Sequence, residues 1–385
     1  MCYNDSSCKR VEKRKRRFFM NVLILSCGTG GGHNAAGRAI EKELIKRGHT
    51  VSLMNPYDLK SNKISGFIDN LYVKMVQGCP SLFGIIYKIG NVYRGFPVKS
   101  PVYYANWKMA EVLNKYLMEN KVDYIVMPHL YTAEIISCMK AKGYSVPPTM
   151  FIGTDYTCVP FTEETACDYY VIPQKELIGA YLEKGFEREK LYPFGIPVDS
   201  RFSSKMDKEK IYEKLGLAKN KKYILITGGS MGAGCVKRVV DILYNYYKGS
   251  NVSLIVVSGS NKGLFKTLRT KYKDRIKVVG HTNNMAAYMK ISEMILTKPG
   301  GLTSTEAAVA QIPIVHINPI PGCETINAKY FEEKHMSIEG KADISICHTC
   351  QRVLNGKGRE MIENQGKMIN KKAAKNICDF MEKTI

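Results

Sequence analysis

Short, continuous apolar runs recur along the chain, each closed by glycine or by a polar cluster. Asn21–Ser26, Val51–Met54, Val122–Met127, Thr149–Ile152 and Tyr169–Ile172 make a first series. Tyr223–Thr227, Leu254–Val257, Ile276–Val279, Met294–Leu296 and Ile314–Ile317 make a second. Runs without polar alternation are expected of strands covered on both faces, as in a parallel sheet. Helical segments separate them, for example Ala35 to Arg47 after the first run, so the pattern predicts repeated β-α-β units. Gly195-Ile196-Pro197-Val198-Asp199 interrupts the pattern and reads as a linker. At 385 residues the chain is too long for one ordinary core. The expected layout is an arm over 1–19, an α/β domain over 20–198, a second, nucleotide-binding Rossmann-like domain over 199–362, and a helical segment over 363–385 able to pack back on the first domain.

In open parallel sheets, ligands sit outside the carboxyl ends of the strands, so the chemistry is sought there. After the first run comes Gly30-Gly31-Gly32-His33-Asn34. A P-loop needs Lys-Ser/Thr where this chain has His33-Asn34. A dinucleotide fingerprint needs glycine at 33 and an acid after the second strand, where Asn55 stands. What remains is a glycine turn presenting His33 at a helix N-terminus, where the helix dipole favours a neutral imidazole able to act as a base. A capping or packing histidine is the structural alternative. His129 and the Thr154-Asp155-Tyr156 cluster close the next runs and are expected at the same rim.

In the second series, Tyr223–Thr227 runs into Gly228-Gly229-Ser230-Met231-Gly232, and Met294–Leu296 into Thr297-Lys298-Pro299-Gly300-Gly301. A strand, a glycine pair and a helix N-terminus form an anion site. Glu306, expected in the first turn of that helix, can accept two hydrogen bonds from a ribose diol. Thr303-x-x-Glu306 also fits a capping box.

The formal net charge of +22 adds an anionic partner to this picture: nucleic acid, a phosphorylated ligand or an acidic lipid surface. No nucleic-acid-binding motif is present, and the basic residues are dispersed outside the Lys9–Arg17 arm, so nucleic acid is not expected. Twelve singly placed cysteines fit reduced thiols in the cytosol. Cys347 and Cys350 lack a second pair and read as incidental rather than as zinc ligands. No apolar run reaches the length of a membrane span. From Ile64 to Trp107, however, aromatic and basic residues interleave almost without acids, which suits an interfacial membrane segment; an ordinary packed stripe is the alternative. Phe83, Tyr87, Lys88, Arg94, Phe96 and Trp107 are its candidate membrane contacts.

Gly30-Gly31-Gly32-His33, Thr154-Asp155, Gly228–Gly232, Thr297–Glu306 and Pro321-Gly322-Cys323-Glu324 with Asn327 together resemble the monogalactosyldiacylglycerol synthase and processive diacylglycerol glucosyltransferase family. The resemblance covers about residues 20 to 380. It implies the GT-B fold, with two Rossmann-like domains whose parallel sheets face a central cleft, and inverting chemistry without a catalytic metal or a cofactor beyond the UDP-sugar substrate. It implies that Gly229 and Ser230 contact the diphosphate, with Gly300 and Gly301 adding N–H donors. The backbone near His281 and Thr282 would read the uracil, Glu306 would hold the ribose, and Glu324 and Asn327 would face the sugar hydroxyls. Gly30, Gly31 and Gly32 would form the acceptor loop, with His33 or Asp155 beside the attacking hydroxyl. The implied substrates are UDP-glucose or UDP-galactose and diacylglycerol, used at the anionic inner face of the cell membrane by a peripherally bound cytoplasmic enzyme. A GlcNAc transferase acting on a polyprenyl-diphosphate-linked acceptor is the alternative. Two departures matter: many relatives have Gln where this chain has Cys323, and plant relatives carry an acid near Gly28 that is missing here.

Overall fold

The structure is a computed structural model that describes residues 19–28, 31–60, 99–232 and 234–385. The basic arm, Gly30 and the membrane-contact candidates Phe83, Tyr87, Lys88, Arg94 and Phe96 lie outside the described residues. Two six-stranded sheets organise the rest, and every strand pairing in them is parallel.

The first sheet contains β1 (Asn21–Leu25), β2 (Thr50–Met54), β3 (Tyr124–Met127), β4 (Thr149–Ile152), β5 (Tyr169–Val171) and β6 (Leu191–Tyr192), in the order β2-β1-β3-β4-β5-β6. The second contains β7 (Lys222–Thr227), β8 (Val252–Val257), β9 (Lys277–Val279), β10 (Ser292–Thr297), β11 (Ile314–Ile317) and β12 (Ser337–Gly340), in the order β12-β11-β10-β7-β8-β9. The second half thus carries six strands, not the five expected. In the first sheet the strand order reverses between β1 and β3, and in the second between β7 and β10. Those two switch points are where a doubly wound sheet opens a ligand crevice.

The continuous apolar runs are explained by burial on both faces. Leu23 and Leu25 point into one core with Ile125, Met127 and Phe151, beneath the helices Pro101–Glu119 and Leu130–Ala141. Val22 and Ile24 point the other way, to Ile40 and Leu44 of the helix Gly31–Lys46. The C-terminal helix Ala373–Thr384 completes that second core through Ile377, Cys378 and Met381, so the end of the chain lies on the first domain. Arg47 pins it there by ion pairs to Asp379 at 2.8 Å and Glu382 at 3.1 Å.

The second domain repeats the scheme. Ile224, Ile226, Leu254, Val256, Met294 and Leu296 face Val239, Val240 and Leu243 of the helix Val236–Tyr247. Cys347 and Cys350 are buried in this same core as free thiols. The opposite face, with Leu225, Ile255 and Ile295, packs on the helix Gly301–Ala310 and also receives Tyr156 from the first domain.

Candidate active site

The two switch points face each other across one cavity of about 300 Å³. The first domain supplies Gly31, Gly32 and His33 after β1, Pro128 and His129 after β3, and Thr154 and Asp155 after β4. The second supplies Gly229 and Ser230 after β7, Lys298, Gly300, Gly301 and Thr303 after β10, and Cys323 and Glu324 after β11.

On the first side, the helix begins at Gly31, so His33 lies inside its first turn. Its Nδ1 is 2.8 Å from the Pro128 carbonyl oxygen. A carbonyl only accepts, so Nδ1 carries the proton and Nε2 keeps its lone pair. Thr154 Oγ1 lies 3.1 Å from the same Nδ1 and, being able to accept as well as donate, is compatible with this tautomer. Enclosure between the domains holds the His33 pKa below the usual histidine value, although Asp155 and the Pro128 carbonyl pull it upward. Burial is the main cause of this lowering, and the position of His33 in the first helical turn acts in the same direction. His129 packs edge-on against it at 4.5 Å between ring centroids and is itself pushed well below the usual range, by burial and by His33. His129 Nδ1 accepts the Tyr131 N–H at 3.1 Å, which caps the next helix.

On the second side, the helix Gly301–Ala310 starts within the glycine pair, with Gly300 as N-cap and no side chain capping it. The first-turn amides therefore have no side-chain acceptor, and an uncapped helix N-terminus in a cleft wall suits an anionic group. This corrects two expectations. Thr303 is inside the helix, so Thr303-x-x-Glu306 is not a capping box, and Glu306 lies in the second turn rather than the first. Ser230 Oγ accepts the Gly31 N–H at 2.9 Å across the cleft, which leaves its own O–H to donate. Lys298 Nζ forms an ion pair with Glu324 Oε1, and Glu324 Oε2 accepts the Ile320 N–H at 2.9 Å. Lys298 has no role in the sequence reading, where its only signal is a lysine directly before the Pro-Gly-Gly turn.

Not every expected residue lines this cavity. His281 is exposed and Thr282 half-buried in the loop after β9, and neither is among the cavity-lining residues. That loop lies beside Arg201, which donates to the Asn283 carbonyl at 3.0 Å and acts electrostatically on Glu306. Glu306 is beyond the cavity wall, and burial followed by the charge of Asp199 raises its pKa to about 8. Asn327 does not face the open cleft. It is fully buried, donating to Asp155 Oδ1 at 2.7 Å and to the Pro299 carbonyl at 3.1 Å. Both of its N–H groups are used within the protein, so none is left for a sugar hydroxyl.

Domain contact is close at Gly301, where an added Cβ would run into the Thr154 carbonyl oxygen and approach Asp155 Cα to 3.1 Å. Backbone meets backbone there, so neither side can yield by changing a rotamer. We expect Gly301→Ala to keep both domains folded but separate the cleft walls, lowering turnover by about 10²-fold, the scale for an ångström of misplacement. Steady-state kinetics with small-angle scattering checks this; unchanged turnover would contradict it.

Residues 33–198 match the family monogalactosyldiacylglycerol (MGDG) synthase, and residues 223–341 match the glycosyltransferase family 28 C-terminal domain. The chain is similar to a Bacillus cytotoxicus protein named processive diacylglycerol beta-glucosyltransferase, with 26% identity over 366 residues covering 94% of this chain and 92% of that one. In fold it is similar to MurG of Acinetobacter baumannii, with a TM-score of 0.60 and 16% identity over 94% of this chain and 99% of that one. It is also similar to UDP-GlcNAc 2-epimerase from Neisseria meningitidis bound to UDP-GlcNAc, with a TM-score of 0.62 and 14% identity over 94% of this chain and 100% of that one. These structures share the GT-B architecture of two parallel-sheet domains around a cleft. The two matched segments follow in order and form the two walls of that cleft, and over most of its length the chain is similar to the monogalactosyldiacylglycerol synthase and processive diacylglycerol glucosyltransferase family.

Proposed function

We propose that this protein transfers a hexose, glucose or galactose, from a UDP-sugar to the hydroxyl of diacylglycerol, with inversion at the anomeric carbon. The observation that carries this reading is the single cavity that sets a neutral histidine with a free Nε2 opposite an uncapped helix N-terminus. The name of the Bacillus cytotoxicus relative supports diacylglycerol as acceptor.

The chemistry follows from charge. The acceptor hydroxyl attacks the anomeric carbon and gives its proton to His33 Nε2. The bond from that carbon to the UDP oxygen breaks, and the charge left on the diphosphate is met by the amides of Gly301 to Thr303, by Gly229 and Ser230, and by Lys298 Nζ. Asp155 stabilises the imidazolium that forms. Glu324, held by Lys298 and the Ile320 amide, presents its carboxylate to the sugar hydroxyls, beside Cys323. The UDP-sugar is a substrate, and the proposed reaction uses no cofactor.

The acceptor resides in a bilayer, and the protein is proposed to bind peripherally to the anionic inner face of the membrane. No helix among the described residues is long and apolar enough to cross a membrane. Trp107 and Tyr104 remain 38% and 60% exposed on the helix Pro101–Glu119, which suits an interfacial contact.

Lys298→Met is expected to raise the donor KM by roughly 10- to 100-fold, the range for a charge-assisted hydrogen bond. Lys298→Arg should recover part of the loss, and an unchanged KM in the methionine variant would remove Lys298 from the donor site. The reading as a whole is tested by UDP release in the presence of anionic vesicles. Adding diacylglycerol should accelerate release from UDP-glucose or UDP-galactose. Release that responds only to UDP-GlcNAc with a polyprenyl-linked acceptor would overturn it.

A further inference from the structure

A buried hydrogen-bond cluster links the loop after β4 to the second domain. Asn327, on the helix Cys323–Glu333 of the second domain, is fully buried. Its Nδ2 donates to Asp155 Oδ1 at 2.7 Å and to the Pro299 carbonyl at 3.1 Å, and its Oδ1 accepts the Tyr156 N–H at 2.7 Å. The amide orientation follows from its partners: a carboxylate and a carbonyl oxygen accept, whereas a backbone N–H donates. Tyr156 is anchored in the same place. Its hydroxyl pairs with Thr305 Oγ1 at 2.8 Å, and its ring stacks on Tyr330 and meets Phe331 edge-on, with centroids at 4.8 and 4.9 Å. Thr305 in turn donates to the Gly301 carbonyl at 2.7 Å.

From this geometry we infer that Asn327 is a positioning residue: it fixes the Asp155 carboxylate relative to both His33 and the Pro299–Gly301 donor loop. The inference rests on the transferase reading above and adds a coupling to it. The loop after β4 belongs to the acceptor domain, but its conformation is set by contacts in the donor domain. Asp155 therefore takes its place beside His33 only when the two domains are closed. Opening them removes the Asn327 amide from Asp155 and withdraws Tyr156 from its aromatic pocket. The charge that stabilises the imidazolium is thus assembled by closure.

The test is a double-mutant cycle between Asn327→Ala and Asp155→Asn, in the full chain. Asn327→Ala is expected to lower kcat by about 10- to 100-fold while leaving UDP affinity within about twofold, since the error lies in placement rather than in donor contacts. The acid limb of its pH–rate profile should move to lower pH, in the same direction as for Asp155→Asn. The double variant should be little worse than Asp155→Asn alone, because both changes remove one interaction. Asn327→Leu removes the same hydrogen bonds without adding charge or leaving a large void, and provides the same comparison if the alanine variant does not fold. Nuclear magnetic resonance titration of the His33 ring gives a readout that needs no turnover. A lower His33 pKa in the Asn327 variants supports the coupling even in a protein with no transferase activity. An unmoved His33 titration, or fully additive losses in kcat, would overturn it.

Discussion

Replacing His33 with alanine or glutamine should lower kcat by about 10² to 10⁴-fold, the range for loss of a positioned general base. UDP affinity should change little, because the donor groups belong to the other domain. His33 suits the task by geometry: the Pro128 carbonyl fixes the proton on Nδ1 and leaves Nε2 available. It also suits it by charge, because burial holds the ring neutral below the ordinary histidine range. Activity should therefore fall on the acid side only as pH drops through that lowered value. Asp155→Asn removes the group that pulls the His33 pKa upward, so it should move the acid limb to still lower pH while reducing kcat. A His33→Gln protein with wild-type turnover, or an Asp155→Asn limb displaced upward, would contradict this assignment.

We propose that Glu306 takes the donor ribose on its Arg201 side, outside the cavity between the domains; removing its carboxylate should then cost donor binding about 10²-fold or more, since two charge-assisted hydrogen bonds to the diol are lost together. The residue also makes a pH prediction. Burial and the nearby Asp199 raise its pKa to about 8, against the opposing effect of Arg201. A ribose diol donates to the ionised form, so donor binding must release the proton that Glu306 holds at neutral pH. Affinity for UDP should then rise with pH up to about 8, approaching tenfold per unit well below that value, and flatten above it. The same shift has a sign for stability. A carboxyl whose folded pKa is raised favours folding at low pH, and this contribution declines as pH rises from the usual carboxylate range to about 8. Calorimetry of UDP binding between pH 7 and 9 checks the first claim. Glu306→Gln should bind weakly with a flat profile, and a pH-dependent profile in that variant would contradict the assignment.

The sequence carried most of the fold because buried strands are continuous apolar runs, and Thr149–Ile152 and Ile314–Ile317 match their runs end to end. The two strands it did not show, Leu191–Tyr192 and Ser337–Gly340, lie at the outer edges of the two sheets. An edge strand is paired on one side only, so nothing requires it to be long or uniformly apolar. The glycine-rich strand ends were legible for the same topological reason, and they brought His33, Asp155, Ser230, Gly300 and Gly301 into one cavity. Helix starts were less legible: Gly301 reads as a turn residue yet is the first residue of its helix, which moved Glu306 one turn inward. The role of Asn327 was hidden because it is fixed by partners more than 170 residues distant, Asp155 and Tyr156, and no local period reports such pairing. Lys298 was hidden for a related reason, since its partner Glu324 follows in a different strand–helix unit.

The most direct measurement combines both walls of the cleft in one reaction. The protein is incubated with diacylglycerol in anionic vesicles and an equimolar mixture of UDP-glucose, UDP-galactose and UDP-GlcNAc, and the lipids are read by mass spectrometry. The expected result is hexosyl-diacylglycerol from the wild-type protein, with product formation in the His33→Gln variant reduced by the factor given above. Diacylglycerol recovered without added sugar, or equal glycolipid from both proteins, would contradict the account.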